Sequence, residues 1–253
     1  MLRILIAAIT LIAAPLMAQE TVVVDLSQNR VAITATYSGS EIFVFGAVKR
    51  EAPLPEGGGD LDVAIVIEGP LETAVVRKKQ NNVGIWVNGP SVEIHDAPSF
   101  FTIATTGPLD EILHEGERRD YAIGLDYAVR PQAETTAETA EYMKAVRRIR
   151  EDMGLYSERE GLVNLTGQTL FDADILLPSN LVEGDYTARI YLIRNQNIIA
   201  DTSVGISVRK EGLERWLYNL AHEQALVYGL LSLLVALVAG YGASEIFRRL
   251  RRT

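Results

Sequence analysis

From Thr21 to Gly107 apolar and polar residues alternate with a period of two, the pattern of strands that bury one face. Val22, Val24 and Leu26 share a side, and after the turn Ser27-Gln28-Asn29 so do Val31, Ile33, Ala35 and Tyr37. In EIFVFGAVKR both sides are apolar, with Ile42, Val44 and Val48 opposing Phe43, Phe45 and Ala47, which predicts a central strand buried on both faces. APLPEGGG is a loop by composition, and strands resume at LDVAIVIEG, Thr73–Arg77, Val83–Val87 and Phe100–Thr105.

The period changes at Pro108. Pro108–Leu113 predicts a short helix with proline in its first turn, and a second helical passage falls near Glu117–Tyr121. Thr136–Met153 is the clearest soluble helix: Thr135 and Glu138 can form a capping box, and Tyr142, Val146, Ile149 and Met153 make one apolar stripe. Gly154-Leu155 is a Schellman-type stop. Alternation then returns. Leu162–Leu165 and Gln168–Leu177 predict a hairpin around Thr166-Gly167, and two further strands run through Tyr186–Ile193 and Val204–Val208.

The last pattern is unbroken hydrophobicity. QALVYGLLSLLVALVAGYGAS, residues 224–244, carries no charge and at about 1.5 Å per residue spans roughly 30 Å, enough to cross a bilayer. Arg248, Arg249, Arg251 and Arg252 follow it and predict a cytoplasmic carboxyl end. At the other terminus Arg3, the apolar Ile4–Ala14 and the break Pro15–Ala18 have the layout of a signal peptide, with cleavage expected after Ala18 and Leu16 the least favourable residue of that site.

The expected organisation is therefore a signal peptide (1–18), a β-sandwich-like lobe (19–107), a helical segment (108–156), a second β lobe (157–210), a juxtamembrane amphipathic helix (211–223), the transmembrane helix (224–244) and a basic tail (245–253). The fold class is mainly β with a helical insert: one or two immunoglobulin-like sandwich lobes, then a single C-terminal span. The four strands after residue 157 either form their own sandwich or complete the first, and two lobes are the favoured reading. The short connection from Val208 to the juxtamembrane helix, which carries Leu213, Trp216, Leu217 and Leu220 on one face, keeps the β region near the membrane.

Charge narrows the function. Between residues 19 and 222 there are 19 basic and 31 acidic side chains, a balance that argues against nucleic acid and against an electrostatic grip on anionic lipid. With no cysteine, disulfides, thiolate nucleophiles and cysteine metal sites are excluded, and export without disulfides suits a bacterial periplasm at least as well as a eukaryotic cell surface. If 110–120 is helical, Asp110 and His114 lie one turn apart beside Glu117 and could hold a divalent cation, against the plainer reading of a solvated acidic surface. His95-Asp96 near Ser91 and Ser99 offers half of a hydrolytic constellation, without a Gly-x-Ser-x-Gly elbow. Trp86, Phe100 and Phe101 could line a cleft or fill the core. Gly57-Gly58-Gly59 precedes a strand rather than a helix and reads as a loop. No cofactor is expected. In the span, Ser232, Ala236, Gly240 and Ser244 recur every four residues as a small-residue stripe where a second helix could approach.

The segments IFVFGAV, VGIWVNGPSVE, PSFFTIATTGPLDEIL, RIREDMGLY, TLFDADILLPSNLVEGDYTARIYL and HEQALVYGL together resemble the uncharacterised putative transmembrane protein family of alphaproteobacteria. The resemblance implies an inner-membrane protein with a periplasmic domain and no assigned reaction, associated with neighbouring sulfite or organosulfonate exporters. The function expected is a membrane-anchored interaction module, an accessory or scaffolding subunit of a transporter or envelope complex whose partner is another integral membrane protein or a second copy. The alternatives are a divalent-metal-dependent enzyme, or a ligand sensor acting through a partner.

Overall fold

A computed structural model describes residues 20–34, 37–50, 59–130, 137–210, 217 and 220–250. Among the described residues twelve strands form two main sheets and one ribbon. β1 (Glu20–Leu26), β3 (Ser40–Arg50), β10 (Leu170–Leu177) and β9 (Asn164–Thr166) lie in the order β1-β3-β10-β9. β2 (Arg30–Ile33), β12 (Asn197–Lys210), β11 (Gly184–Arg194), β4 (Leu61–Glu68), β7 (Phe101–Thr105) and β8 (Tyr156–Arg159) form the larger sheet in the order β2-β12-β11-β4-β7-β8. β5 (Leu71–Asn82) and β6 (Ile85–Pro98) pair only with each other.

The two sheets face one another as a sandwich. Ile42, Val44, Phe171, Ala173 and Ile175 supply one side of the core and Val63, Ile65, Ile67, Ala188, Ile190 and Leu192 the other, all buried. Each large aliphatic side chain so removed from water adds roughly 1.5–3 kcal/mol to stability. Strands from both halves of the sequence share each sheet: β10 pairs with β3, and β11 with β4. The stretches expected as separate lobes thus complete one another. Local periodicity says which residues of a strand face inward but nothing about which strand lies beside it, so this order was not readable from the pattern.

The strand buried on both faces is β4, with β7 beside it, rather than β3. Its second face is covered by the helical segment: α1 (Leu109–Ile112), α2 (Glu115–Asp120) and α3 (Leu125–Ala128). Leu109, Ile112, Leu113, Ile123, Ala128 and Val129 are buried there, Tyr121 meets Tyr191 of β11 edge-on at 5.7 Å, and Arg130 and Arg189 both reach Glu68. β3 has no such cover. Ile42, Val44 and Val48 point into the core while Phe43 and Phe45 lie on the outer face.

α4 (Ala137–Asp152) is the predicted long helix, turned from the face its apolar stripe suggested. Val146 is buried and Tyr142 and Met143 partly so, but Ile149 and Met153 are exposed and the buried residue of the last turn is Arg150. The capping-box residue Thr135 lies outside the described residues. Gly154, at φ +71°, ends the segment in the left-handed conformation the stop required. The predicted hairpin is β9–β10, its turn one residue later than expected: Gly167 and Gln168 both take positive φ, and the Thr169 amide donates to the Thr166 carbonyl at 3.1 Å, as in a type I′ turn.

A cluster of charges ties the sheets together at β1. Glu20 is buried and accepts from Arg50 of β3 at 3.2 Å and from Arg194 of β11 at 3.0 Å, while Arg50 also donates to Thr169. At the carboxyl end α5 (Ala225–Leu250) is one continuous helix, and hydrogen bonds from Gln224 to Leu220 and from Tyr228 to Gln224 extend it backwards. The signal peptide, most of the juxtamembrane segment, and Arg251 and Arg252 lie outside the described residues.

Candidate interaction surfaces

The acidic passage does not assemble the cation site its spacing allowed. The helix breaks at Leu113, whose backbone is extended, so Asp110 and His114 belong to different elements. His114 instead caps α2, its Nδ1 accepting from the Gly116 amide at 3.1 Å. Asp110 is paired with Arg118, which also faces Glu115 at 3.6 Å. Glu117 sits in α2. A cleft of about 450 Å³ there gathers Asp110, Glu115, Asp126, Glu151, Glu158 and Glu160 around Arg118 and Arg147. Its carboxylates are occupied: Asp126 and Glu151 pair with Arg147, Glu160 accepts from the Leu109 amide at 3.2 Å, and Glu158 from the Leu125 amide at 3.3 Å. Among the described residues no three carboxylate or histidine groups are placed to hold a metal.

The other chemical candidates are dispersed. His95 bonds Thr73 across the ribbon at 3.1 Å, Ser91 lies opposite Arg77 on the ribbon, and Ser99 is buried in the close approach of Gly69 and Tyr186. Phe100 packs on Tyr186 at 6.1 Å and Phe101 on Tyr156 at 5.9 Å, both inside the core, whereas Trp86 is exposed on the ribbon. A larger open cleft of about 860 Å³ is lined by residues of β3, β10, β7 and β8, among them Thr102, Ser157 and Arg159. Of the triglycine, Gly57 and Gly58 lie outside the described residues, and Gly59 takes φ +74° beside Asn195.

What the structure assembles is surface. On the outer face of the four-stranded sheet Phe43 and Phe45 stack at 5.6 Å between ring centres, 36% and 40% exposed. Their cross-strand neighbours extend the patch: Ala47 stands between Val23 and Leu170, Phe45 between Asp25 and Asp172, Phe43 opposite Asp174 and Glu41 opposite Leu176. Val23, Leu170 and Leu176 are all more than half exposed. The result is an apolar strip edged by carboxylates on a face that no helix among the described residues covers. Period-two alternation fixed that these side chains share a face; it could not say whether a layer lay over them.

The ribbon is the second exposed feature, and its root is well held. Arg150 donates to the Pro98 carbonyl, lies 2.6 Å from a Glu72 carboxylate oxygen and stacks 5.5 Å over the Tyr156 ring. The Tyr156 hydroxyl donates to the same carbonyl at 2.7 Å, and burial pushes that phenol well above its ordinary range. Nothing in the helical stripe signalled this. An arginine of the last turn, off the apolar stripe, becomes a core residue because one buried carbonyl, a carboxylate and a ring await its guanidinium.

In α5 the span Ala225–Ala243 has mean hydropathy 2.0 and none of it is buried in the protein. Ser232 turns its hydroxyl back to the Gly229 carbonyl at 2.9 Å, and a Cβ at Gly240 would meet nothing, so this part of the stripe is open to a neighbour. The side chains of Ser244 and Arg249 lie outside the described residues.

Comparison with known proteins agrees with a membrane protein whose reaction is not assigned. The family described as Putative transmembrane protein (Alph_Pro_TM) matches residues 21–249. No curated protein matches the sequence. Among solved structures, the sporulation control protein Spo0M from Bacillus subtilis aligns at 10% identity and a TM-score of 0.27, over 77% of this chain and 51% of that one. The chain thus spans about half the length of that protein.

Proposed function

The chain belongs to this alphaproteobacterial family of putative transmembrane proteins, and from that premise we propose that it is a single-pass inner-membrane protein whose β-rich domain, held in the periplasm, serves as an accessory subunit for another integral membrane protein. The observation that carries this reading is the uncovered face around Phe43 and Phe45. Stacked aromatics on a sheet face, bordered by Asp25, Asp172 and Asp174, form a surface suited to a partner with an apolar ridge and basic flanks. The open face of the span at Gly240 supports a partner that lies in the membrane too. The four arginines after the span favour a cytoplasmic carboxyl end.

The test is site-specific photocrosslinking in native membranes, with the reactive group at position 43. The reading expects one multi-spanning protein to be captured there, lost in a Phe45→Ser/Leu170→Ser variant and weakened by Gly240→Leu. Adducts only to lipid, or adducts that persist unchanged in both variants, sink it. A partner that is a second copy would appear as a dimer of this chain and would replace the accessory role with self-assembly.

A further inference from the structure

Beyond Val76 the β5–β6 ribbon leaves the rest of the fold: from Arg77 to Ser91 every residue except Gly89 is exposed. Two strands alone are marginal in water, and this pair carries apolar side chains on its bare end. Val83 is fully exposed, Ile85 68% and Trp86 67%. The turn itself is unusual. Val83 takes φ +52° before Gly84 at +82°, in a position that ordinarily favours asparagine, aspartate or glycine and is poor for a β-branched residue. The local backbone gives no reason for valine there; a surface that receives it would.

Charge identifies the surface. Although the whole chain has a net charge of −9, no carboxylate occurs between Glu72 and Glu93, while Arg77, Lys78 and Lys79 fall together on β5. Beside them α4 contributes Lys144, Arg147 and Arg148, and the groove between ribbon and helix, about 630 Å³, has Val76, Tyr142, Ala145 and Ile149 within this basic rim. Glu141 and Glu151 are its acids; Glu141 lies 3.8 Å from Lys78 and Glu151 pairs with Arg147. Arg77, Lys79, Lys144 and Arg148 form no ion pair among the described residues.

Position points the same way. β12 runs to Lys210 and the chain then continues towards the span, so this end of the larger sheet is its anchored end. Val208 pairs with Gly184, and a Cβ on Gly184 would lie 2.6 Å from the Pro70 side chain at the root of the ribbon. The ribbon therefore springs from the end of the sheet that leads to the membrane.

We propose that the β5–β6 ribbon and the adjoining face of α4 form a second membrane contact. Val83, Ile85 and Trp86 enter the headgroup layer, and the cations of the groove bind anionic phospholipid headgroups. The proposal holds for either orientation of the span, because the ribbon and the anchor belong to the same face of the bilayer.

The test uses the full chain with Trp216→Phe, leaving Trp86 as the fluorophore, in nanodiscs of phosphatidylcholine alone or mixed with phosphatidylglycerol. The expected result is blue-shifted Trp86 emission that is quenched by bromine-labelled acyl chains, with the larger effect in the mixed discs. Lys79→Glu/Lys144→Glu should abolish the dependence on phosphatidylglycerol, and Val83→Ser/Ile85→Ser should lower quenching in both lipids; both pairs are exposed and leave the sandwich intact. Emission that stays red-shifted and unquenched in every disc overturns the proposal. So does protection of the ribbon that appears only when two copies share a disc, which would make it a contact between chains.

Discussion

Replacing Arg150 with methionine separates the charge of this residue from its bulk. The guanidinium hydrogen bond to the Pro98 carbonyl, charge-assisted and buried, is worth roughly 1.5–3 kcal/mol. Glu72 is 44% exposed on its side chain, so its pairing adds only about 0–1 kcal/mol. Stacking on Tyr156 adds about 0.5–1 kcal/mol. Methionine keeps most of the stem's packing and avoids the cost of desolvating a charge, and the Tyr156 hydroxyl still satisfies the Pro98 carbonyl, which brings the net loss to about 2–3 kcal/mol. For a domain of this size that corresponds to a fall in Tm of roughly 4–12 °C. Thermal unfolding of the full-length protein in detergent, followed by near-ultraviolet circular dichroism, reads it. Amide exchange should quicken first at Leu71–Ala74 and Ile94–Pro98, the two sides of the ribbon root, while the β11–β12 ladder stays protected. A Glu72→Gln control should stay within about 1 kcal/mol of the parent. If Arg150→Met is as stable as the parent to within about 0.5 kcal/mol, the reasoning that makes Arg150 the pin of the ribbon fails.

Other expectations follow from the same structure. Glu20→Ala removes the buried carboxylate shared by Arg50 and Arg194, which keep acceptors at Thr169 and the Gly59 carbonyl, and denaturant unfolding should show a loss of about 3 kcal/mol. Phe43→Ser/Phe45→Ser should change the unfolding free energy by no more than about 1 kcal/mol while lowering binding of a hydrophobic dye; a strongly destabilised variant would mean that the face is part of the core. Because the native pKa of Tyr156 is raised, its contribution is complete below the unfolded phenol value near 10 and is lost as pH climbs from there towards the native value. Alkaline unfolding should therefore be shallower in Tyr156→Phe, and an unchanged slope would assign the alkaline transition to other groups.

Strand positions, the long helix and the span were legible because each repeats a period that burial imposes locally. Neighbours were not. The order β1-β3-β10-β9 depends on pairings more than a hundred residues apart, such as Phe43 with Asp174, and no short pattern encodes them. Phe43 and Phe45 read as buried because hydrophobicity reports what a side chain prefers, not whether another layer is present to satisfy it. The burial of Arg150 left no local signal for the converse reason, since its partners Glu72, Pro98 and Tyr156 come from three other elements. The ribbon read as two short strands, Thr73–Arg77 and Val83–Val87, because its polar Lys78–Asn82 stretch resembled a loop; cross-strand pairing carries it through. The spacing of Asp110, His114 and Glu117 fitted a helix that breaks at Leu113, and the carboxylates went to arginines and helix ends.

The parallel seating of β2 against the end of β12 has a mechanical consequence. Residues Ser207–Lys210 are paired on one side with Arg30–Ile33, and Ser207 and Val208 on the other with Asp185 and Gly184, so the strand that leads to the anchor is interior to its sheet as far as Val208 and keeps β2 beside it to Lys210. A pull transmitted from the membrane along β12 loads those ladders in shear. Their hydrogen bonds must yield together rather than unzip one after another. Tension along the anchor thus meets ladders on both sides of β12 instead of a single free edge.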